Sequence, residues 1–335
     1  MKIAILSPVA WRTPPRKYGP WEQVASNITE GLVERGIDVT LFASGDSITG
    51  GKLVSVCEHP YAENPDIDPK VAECLHISSL MEQAEKFDLI HNHFDFLPLS
   101  YSRLIHTPMV TTIHGFSSPK ILPVYKKYNH TSYYVSISNS DRSPELDYTA
   151  TVYNGIDGRG FTFNSESKDY LLFFGRIHQE KGVYESIQIA RRSSRKLIIS
   201  GYIQDQEYFD RRVKPYIDNQ QILYAGNSGP EERNKLLGGA FALLHPVGFE
   251  EPFGLSVVEA MFCGTPVIAF NRGAMPELIL DGKTGFLVRT VEEAKEAVNH
   301  IQTIDRKDCM EWAASKFSRQ KMIEGYLEVY QHILR

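Results

Sequence analysis

No stretch of this chain is long and apolar enough to form a signal-peptide core or a membrane span, and the apolar run at its amino end, within Met1 to Pro8, is too short for either. A cytoplasmic protein is therefore expected. Cysteine is scarce. Cys57, Cys74, Cys263 and Cys309 lie far apart, with neither C-x-x-C spacing nor the density of a disulfide scaffold, and read as reduced thiols. Net charge is low as well: at -5 over 335 residues there is no broad basic field for nucleic acid or acidic lipid, so phosphate has to be met by specific groups. The absence of any fixed-period repeat or low-complexity tract sets aside solenoids and biased linkers. No G-x-G-x-x-G turn follows the first apolar run, which sets aside a NAD dehydrogenase.

What is there is ordinary globular composition, 42% apolar and 23% charged, in a chain too long for one core. Two domains are expected. Short runs rich in branched residues alternate with segments of helical period, the pattern of parallel sheets with crossover helices. Strands are predicted at Lys2 to Leu6, Asp38 to Ala43, Asp88 to His91, Met109 to Ile113 and Tyr133 to Ile137. A second series follows at Tyr170 to Phe174, Lys196 to Ser200, Gln221 to Ala225, Ala240 to His245 and Pro266 to Phe270. The clearest helix runs from Pro20 to Arg35, with Val24, Ala25, Ile28, Leu32 and Val33 on one stripe and Gly36 as its stop. Turn chemistry at Tyr153 to Gly158 and a polar stretch at Asn164 to Asp169 mark the hinge. The α/β fold thus predicted has two doubly wound, Rossmann-like domains, residues 1–157 and 158–317.

In open parallel sheets ligands collect beyond the carboxyl ends of the strands, so the loops there carry the chemistry. The run Phe249 to Ile268 is the most informative. Pro252 is expected in the first turn of a helix that Gly264 and Pro266 close, leaving the amides of Phe253, Gly254, Leu255 and Ser256 as an anion site. Glu259, four residues after Leu255, shares their face. A carboxylate there would repel a diphosphate unless it accepts hydrogen bonds from sugar hydroxyls.

Glu251 and Glu259, set within Glu-Pro-Phe-Gly-Leu-x-x-x-Glu-Ala-Met-x-Cys-Gly-Thr-Pro-Val, closely resemble the signature of glycosyltransferase family 4, retaining enzymes of the GT-B fold. The resemblance spans essentially the whole chain. It implies two domains facing an interdomain cleft, with a last helix, residues 318–335, that crosses back to complete the first. It also implies that Glu251 faces the donor sugar, that the amides around Gly254 and Leu255 hold the diphosphate, and that Glu259 accepts from ribose hydroxyls. In Phe174 to Gly182, Arg176 offers a planar fork and Lys181 a point charge; the family uses these two on the donor diphosphate. His114, in Thr-x-His-Gly, matches the histidine that relatives use at the transferring sugar.

In Tyr18-Gly19-Pro20-Trp21-Glu22 this chain departs from the family, which has a second glycine where Pro20 stands. Gly19 becomes the close-approach position toward the donor. His91 and His93 resemble a metal pair without a third ligand and read as cleft or structural residues. Residues 119–129 form a candidate membrane-surface helix interrupted by Pro123, for which a solvated face is the preferred reading.

The function implied is retaining transfer of a hexosyl group from a nucleotide diphosphate sugar, UDP-hexose before GDP-mannose, to the hydroxyl of a saccharide, lipid-linked or small-molecule acceptor. No Asp-x-Asp motif is placed to neutralise the diphosphate, so neither a metal nor another cofactor is expected. Two alternatives share the architecture: a sugar-nucleotide 2-epimerase, and a non-catalytic nucleotide-sugar-binding protein.

Overall fold

A computed structural model describes every residue except Ser117 and Ser118. Contacts divide the chain into two compact units, Met1–Gly155 with Arg319–Arg335, and Ile156–Ser318.

Unit 1 begins with β1 (Lys2–Leu6), α1 (Pro20–Val33), β2 (Asp38–Phe42) and β3 (Lys52–Val54), followed by α2 (Pro69–Met81), β4 (Leu89–Asn92) and β5 (Met109–Ile113). It continues through α3 (Leu122–Tyr128), β6 (Tyr133–Ser136) and β7 (Tyr148–Thr151). The seven strands are parallel in the order β3-β2-β1-β4-β5-β6-β7. Ile3, Ala4, Ile5 and Leu6 are wholly buried, which accounts for their unbroken apolar run: a parallel strand covered on both faces has no wet side to alternate with. α1 places Val24, Ala25, Ile28 and Leu32 inward, and Gly36 in the left-handed region ends the segment.

In unit 2, β8 (Leu171–Phe174), α4 (Val183–Arg192), β9 (Leu197–Ser200), α5 (Gln206–Tyr208), β10 (Ile222–Tyr224) and α6 (Pro230–Gly239) come first. Next are β11 (Ala242–His245), α7 (Leu255–Phe262), β12 (Val267–Phe270), α8 (Met275–Leu278), β13 (Gly285–Val288), α9 (Val291–His300) and α10 (Arg306–Phe317). The order β10-β9-β8-β11-β12-β13 is again all parallel. The last helix, α11 (Arg319–Ile333), returns to unit 1 and packs on α1, burying Ile323, Tyr326 and Tyr330.

Strand order reverses between β1 and β4 in unit 1 and between β8 and β11 in unit 2. These are the topological switch points, where loops on either side diverge and leave room for a ligand.

Two local expectations are corrected. Pro252 is not in a helix: α7 starts at Leu255, because Gly254 turns the chain at φ 107° as its N-cap. Pro123 begins α3 instead of interrupting it, since proline's missing N–H costs nothing in a first turn. Tyr125 and Tyr128 of that helix are buried in the unit 1 core, with Ile121, Leu122 and Val124 packed against it, so its apolar side faces the protein's own interior. The four cysteines are unpaired. No helix among the described residues is long and apolar enough to cross a membrane.

Candidate active site

The switch point of unit 2 gathers most of the residues singled out by motif. Arg176 and Lys181 lie on the loop after β8, and Glu251 on the loop after β11, the neighbouring strand. A backbone bond from Gly248 N–H to Glu180 O, 2.7 Å, ties the two loops together. The loop after β12 closes on the same place, with Arg272 Nη1 donating to Gly248 O at 2.9 Å and Ala274 N–H to Glu251 O at 2.9 Å.

Glu251 is 8% exposed, and Lys181 Nζ lies 2.5 Å from its Oε2. Burial, the largest single influence, would raise this carboxyl, but Lys181 and His245 together overcome it and hold the pKa down to about 2. The Lys181 ammonium also lies 4.7 Å from the centre of the Phe249 ring. His245, the last residue of β11, brings Nε2 to 3.6 Å from the same carboxylate, beyond direct hydrogen-bond distance, and that buried nitrogen has no hydrogen-bond partner among the described residues. Arg176 is held by Glu180, 2.6 Å from Nη2, and by the Gln204 side chain.

Gly254 is required where it stands. Its φ is in the left-handed region, and a Cβ there would come within 2.8 Å of Met275 Cε. Phe253 and Gly254 are buried and Leu255 and Ser256 half-buried, at the positive end of α7. Four residues into that helix is Glu259, 5% exposed, with Arg233 Nη1 at 3.2 Å. Burial raises its carboxyl despite that cation.

In unit 1, the ends of β4 and β5 carry His93 and His114, whose rings meet through His93 Nδ1 and His114 Nε2 at 2.9 Å. His91 is bonded on both nitrogens, to Tyr330 Oη and Thr112 Oγ1, each at 2.7 Å, and Tyr326 Oη lies 2.8 Å from Thr112 Oγ1. Trp21 stacks on His114, with ring centres 5.5 Å apart and planes 20° from parallel. Burial pushes the His91 and His114 imidazoles down to about 3 and His93 well below its ordinary value, so all three are neutral near pH 7. The space beside Gly19 is filled by this chain's own Pro15, Trp11 and Glu22: a Cβ there would lie 2.8 Å from Pro15 Cβ and 3.1 Å from Glu22 Oε2. Glu22 is 3% exposed, and burial raises its carboxyl to about 7, against the lowering effect of backbone donors that include Trp11 N–H at 3.2 Å.

Sequence reasoning did not find His245, Arg233 or Glu22 as partners of these groups, and left His93 without a role. His245 carries one usable signal: like His114, it is a histidine at the carboxyl end of a buried strand. Among the described residues no three His, Cys, Asp or Glu side chains are grouped so as to hold a metal ion.

Two parallel Rossmann-like domains with an anion-suited helix end at a switch point are the architecture of a GT-B glycosyltransferase. The family model described as "Glycosyl transferases group 1" matches residues 159–321, and "Glycosyltransferase Family 4" matches residues 21–157. An uncharacterized glycosyltransferase of Methanocaldococcus jannaschii is 24% identical, over 86% of this chain and 85% of its own. Among solved structures, the sucrose-phosphate synthase of Thermosynechococcus elongatus superposes with a TM-score of 0.81 at 17% identity, covering 99% of each chain. Anabaena HepE in complex with UDP and glucose gives 0.75 at 18% identity, over 99% of this chain and 100% of that one. The chain belongs to the family-4-like GT-B glycosyltransferases.

Proposed function

We propose that this protein is a retaining hexosyltransferase that takes its sugar from a nucleotide diphosphate, UDP before GDP, and requires no metal. The observation that carries the reading is the convergence of Arg176, Lys181, Glu251 and the amino end of α7 at one switch point. As the glycosidic bond stretches, charge develops on the leaving diphosphate, and prepositioned cations and amides stabilise it without reorganisation. Arg176 would leave Glu180 for a phosphate oxygen, while the amide N–H groups of Gly254, Leu255 and Ser256 donate to the others. Phe253, just before that turn, is buried and packs edge-on against Phe317. Glu259 would bond the ribose hydroxyls and Glu251 would face the transferring sugar.

His114 is assigned to the sugar and the Gly19 amide to the phosphate side, both from unit 1, which would also bind the acceptor. Retention without an enzymic nucleophile fits front-face attack assisted by the leaving phosphate. UDP is preferred because the fold neighbour HepE is in complex with UDP and glucose. The protein is expected to work in the cytoplasm, with a saccharide, lipid-linked or small-molecule acceptor.

Thermal-shift screening with UDP, GDP and ADP tests the donor assignment. A nucleotide at a hundred times its Kd stabilises by roughly 2.7 kcal/mol, a shift of a few degrees for domains of this size. UDP should give the largest shift. A flat response to all three would remove the donor site, and a larger response to GDP would move the assignment to GDP-mannose. Donor incubated alone, without formation of an epimeric sugar nucleotide, excludes the epimerase.

A further inference from the structure

β4 and β5 are paired neighbours, with Asn92 beside Thr111, so His93 and His114, each just past the end of its strand, lie at adjacent strand ends. The backbone N–H of His93 donates to Leu6 O at 2.9 Å, which anchors the residue to the end of β1. His93 is fully buried, and its Nε2 has no hydrogen-bond partner among the described residues. Two neutral imidazoles joined at 2.9 Å through His93 Nδ1 and His114 Nε2 can share one proton in only two ways.

In the first, His114 Nε2–H donates, His93 Nδ1 is bare, and the His93 proton is on Nε2, a buried N–H with no acceptor. Such orphaned donors are the rarer and costlier defect in folded proteins. In the second, His93 Nδ1–H donates and its Nε2 is a bare lone pair. His114 Nε2 then accepts, and the His114 proton must be on Nδ1. Trp21, stacked on the His114 ring, holds its plane.

We propose that His93 is a positioning residue that locks His114 in the Nδ1–H tautomer, so that His114 offers a neutral hydrogen-bond donor, not a base, to an oxygen of the bound sugar nucleotide. The tautomer assignment stands on unit 1 geometry alone. Its consequence for transfer rests on the reading that His114 meets the donor sugar. A donor at this position favours an oxygen that gains negative charge over a hydroxyl awaiting deprotonation, which restricts His114 to orienting and stabilising work.

The test is side-chain ¹⁵N–¹H correlation NMR on the full-length protein, with His114 assigned by the loss of its signals in His114→Gln. The expected pattern is a protonated Nδ1 and an unprotonated Nε2. The reverse pattern, or two protonated nitrogens, overturns the proposal, and this measurement needs no variant of His93 to fold. His93→Asn keeps an amide donor near the Nδ1 position, whereas His93→Leu removes it. With UDP-glucose turnover followed as UDP release, His93→Leu should lower kcat about tenfold, the upper end for one net hydrogen bond, with KM little changed. His93→Asn should recover most of that loss and keep the His114 tautomer. Equal turnover in the Leu variant and the unmodified protein, or no rescue by Asn, overturns the positioning role. Undiminished turnover in His114→Ala would instead remove the functional reading while leaving the tautomer result untouched.

Discussion

At the strand ends of unit 2 the polar groups are ions held in pairs: Lys181 with Glu251, Arg176 with Glu180, Arg233 with Glu259. At the corresponding strand ends of unit 1 the histidines His91, His93 and His114 are neutral and are bonded to one another or to the hydroxyls of Thr112 and Tyr330, with Tyr326 bonded to Thr112. Both arrangements solve one problem, since a buried polar group without a partner is costly. They differ in what they can bind. Buried ion pairs add little to stability compared with apolar packing, but they keep cations in place for an anionic ligand. A neutral network costs less to bury and suits hydroxyls. The difference matches the proposed division between a diphosphate side and a sugar and acceptor side.

Lys181→Ala should break this contrast most strongly, because it leaves Glu251 buried and charged with only His245 nearby. Removing one partner of a buried pair costs about 3–5 kcal/mol, and the diphosphate loses its point charge as well. Denaturant unfolding and UDP titration should both register the loss. The Lys181→Ala/Glu251→Gln double variant should recover much of the stability and none of the UDP affinity. Full stability in the single variant would mean that the pair is not buried in solution. Acid reports the same pair: the carboxyl has a folded pKa of about 2 against 4.5 for the free group, so its contribution is present above pH 4.5 and is lost as pH falls toward 2.

Glu22 sharpens the contrast from the other side, since it is the one carboxyl among the unit 1 groups described above. Its pKa is raised from 4.5 to about 7, so the folded state holds its proton where the unfolded state has lost it. Stability from this group is complete below pH 4.5 and declines as pH rises to about 7, by on the order of 3 kcal/mol in total. Glu22→Gln should remove that slope. Denaturant midpoints at pH 5 and pH 8 for both proteins decide it; a slope that survives in the Gln variant would assign it to another group.

Much of this was legible in the chain before any coordinates, and for a physical reason. β1 is buried on both faces, so its apolar run marks its own ends, and Arg176, Lys181, Glu251 and Glu259 lie in motifs whose spacing is local. β3, β7 and β13 escaped because they are edge strands of only three or four residues, the first two of mixed composition, Lys-Leu-Val and Tyr-Thr-Ala-Thr. The partnerships escaped for another reason. Lys181 and Glu251 are 70 residues apart, and His93 and His114 are 21 apart. They meet only because β8 lies beside β11 and β4 beside β5, which is a matter of strand order and not of spacing.

The two glutamates of one signature should separate next. Glu259→Ala removes hydrogen bonds that the proposal places on ribose in ground and transition states alike, so donor KM should rise and kcat be spared. A bond involving a charged group contributes about 1.5–3 kcal/mol, a loss of roughly 10- to 150-fold in UDP affinity. Glu251→Gln should lower kcat and leave UDP binding intact or tighter, since Lys181 is released from its internal partner. Calorimetry and steady-state kinetics on both variants test this. Abolished UDP binding in Glu251→Gln with none lost in Glu259→Ala would reverse the two roles.

The smallest expected effect is that of chelation. If Arg176, Lys181 and the α7 amides supply the positive charge that the leaving diphosphate needs, a divalent ion has no further charge to neutralise at that step. The carboxylate beside Lys181 argues the same way: Glu251 is already engaged by that cation, and recruiting it to a metal would strip Lys181 of its partner. Unit 1 supplies no substitute, because its neutral imidazoles are bonded to hydroxyls and to one another. Transfer assayed with EDTA should therefore match transfer with added magnesium or manganese to within about twofold. A tenfold fall with EDTA that either metal restores would show that the cation pairs of unit 2 do not act alone on the diphosphate, and the contrast between a charged donor side and a neutral sugar side would have to include an ion.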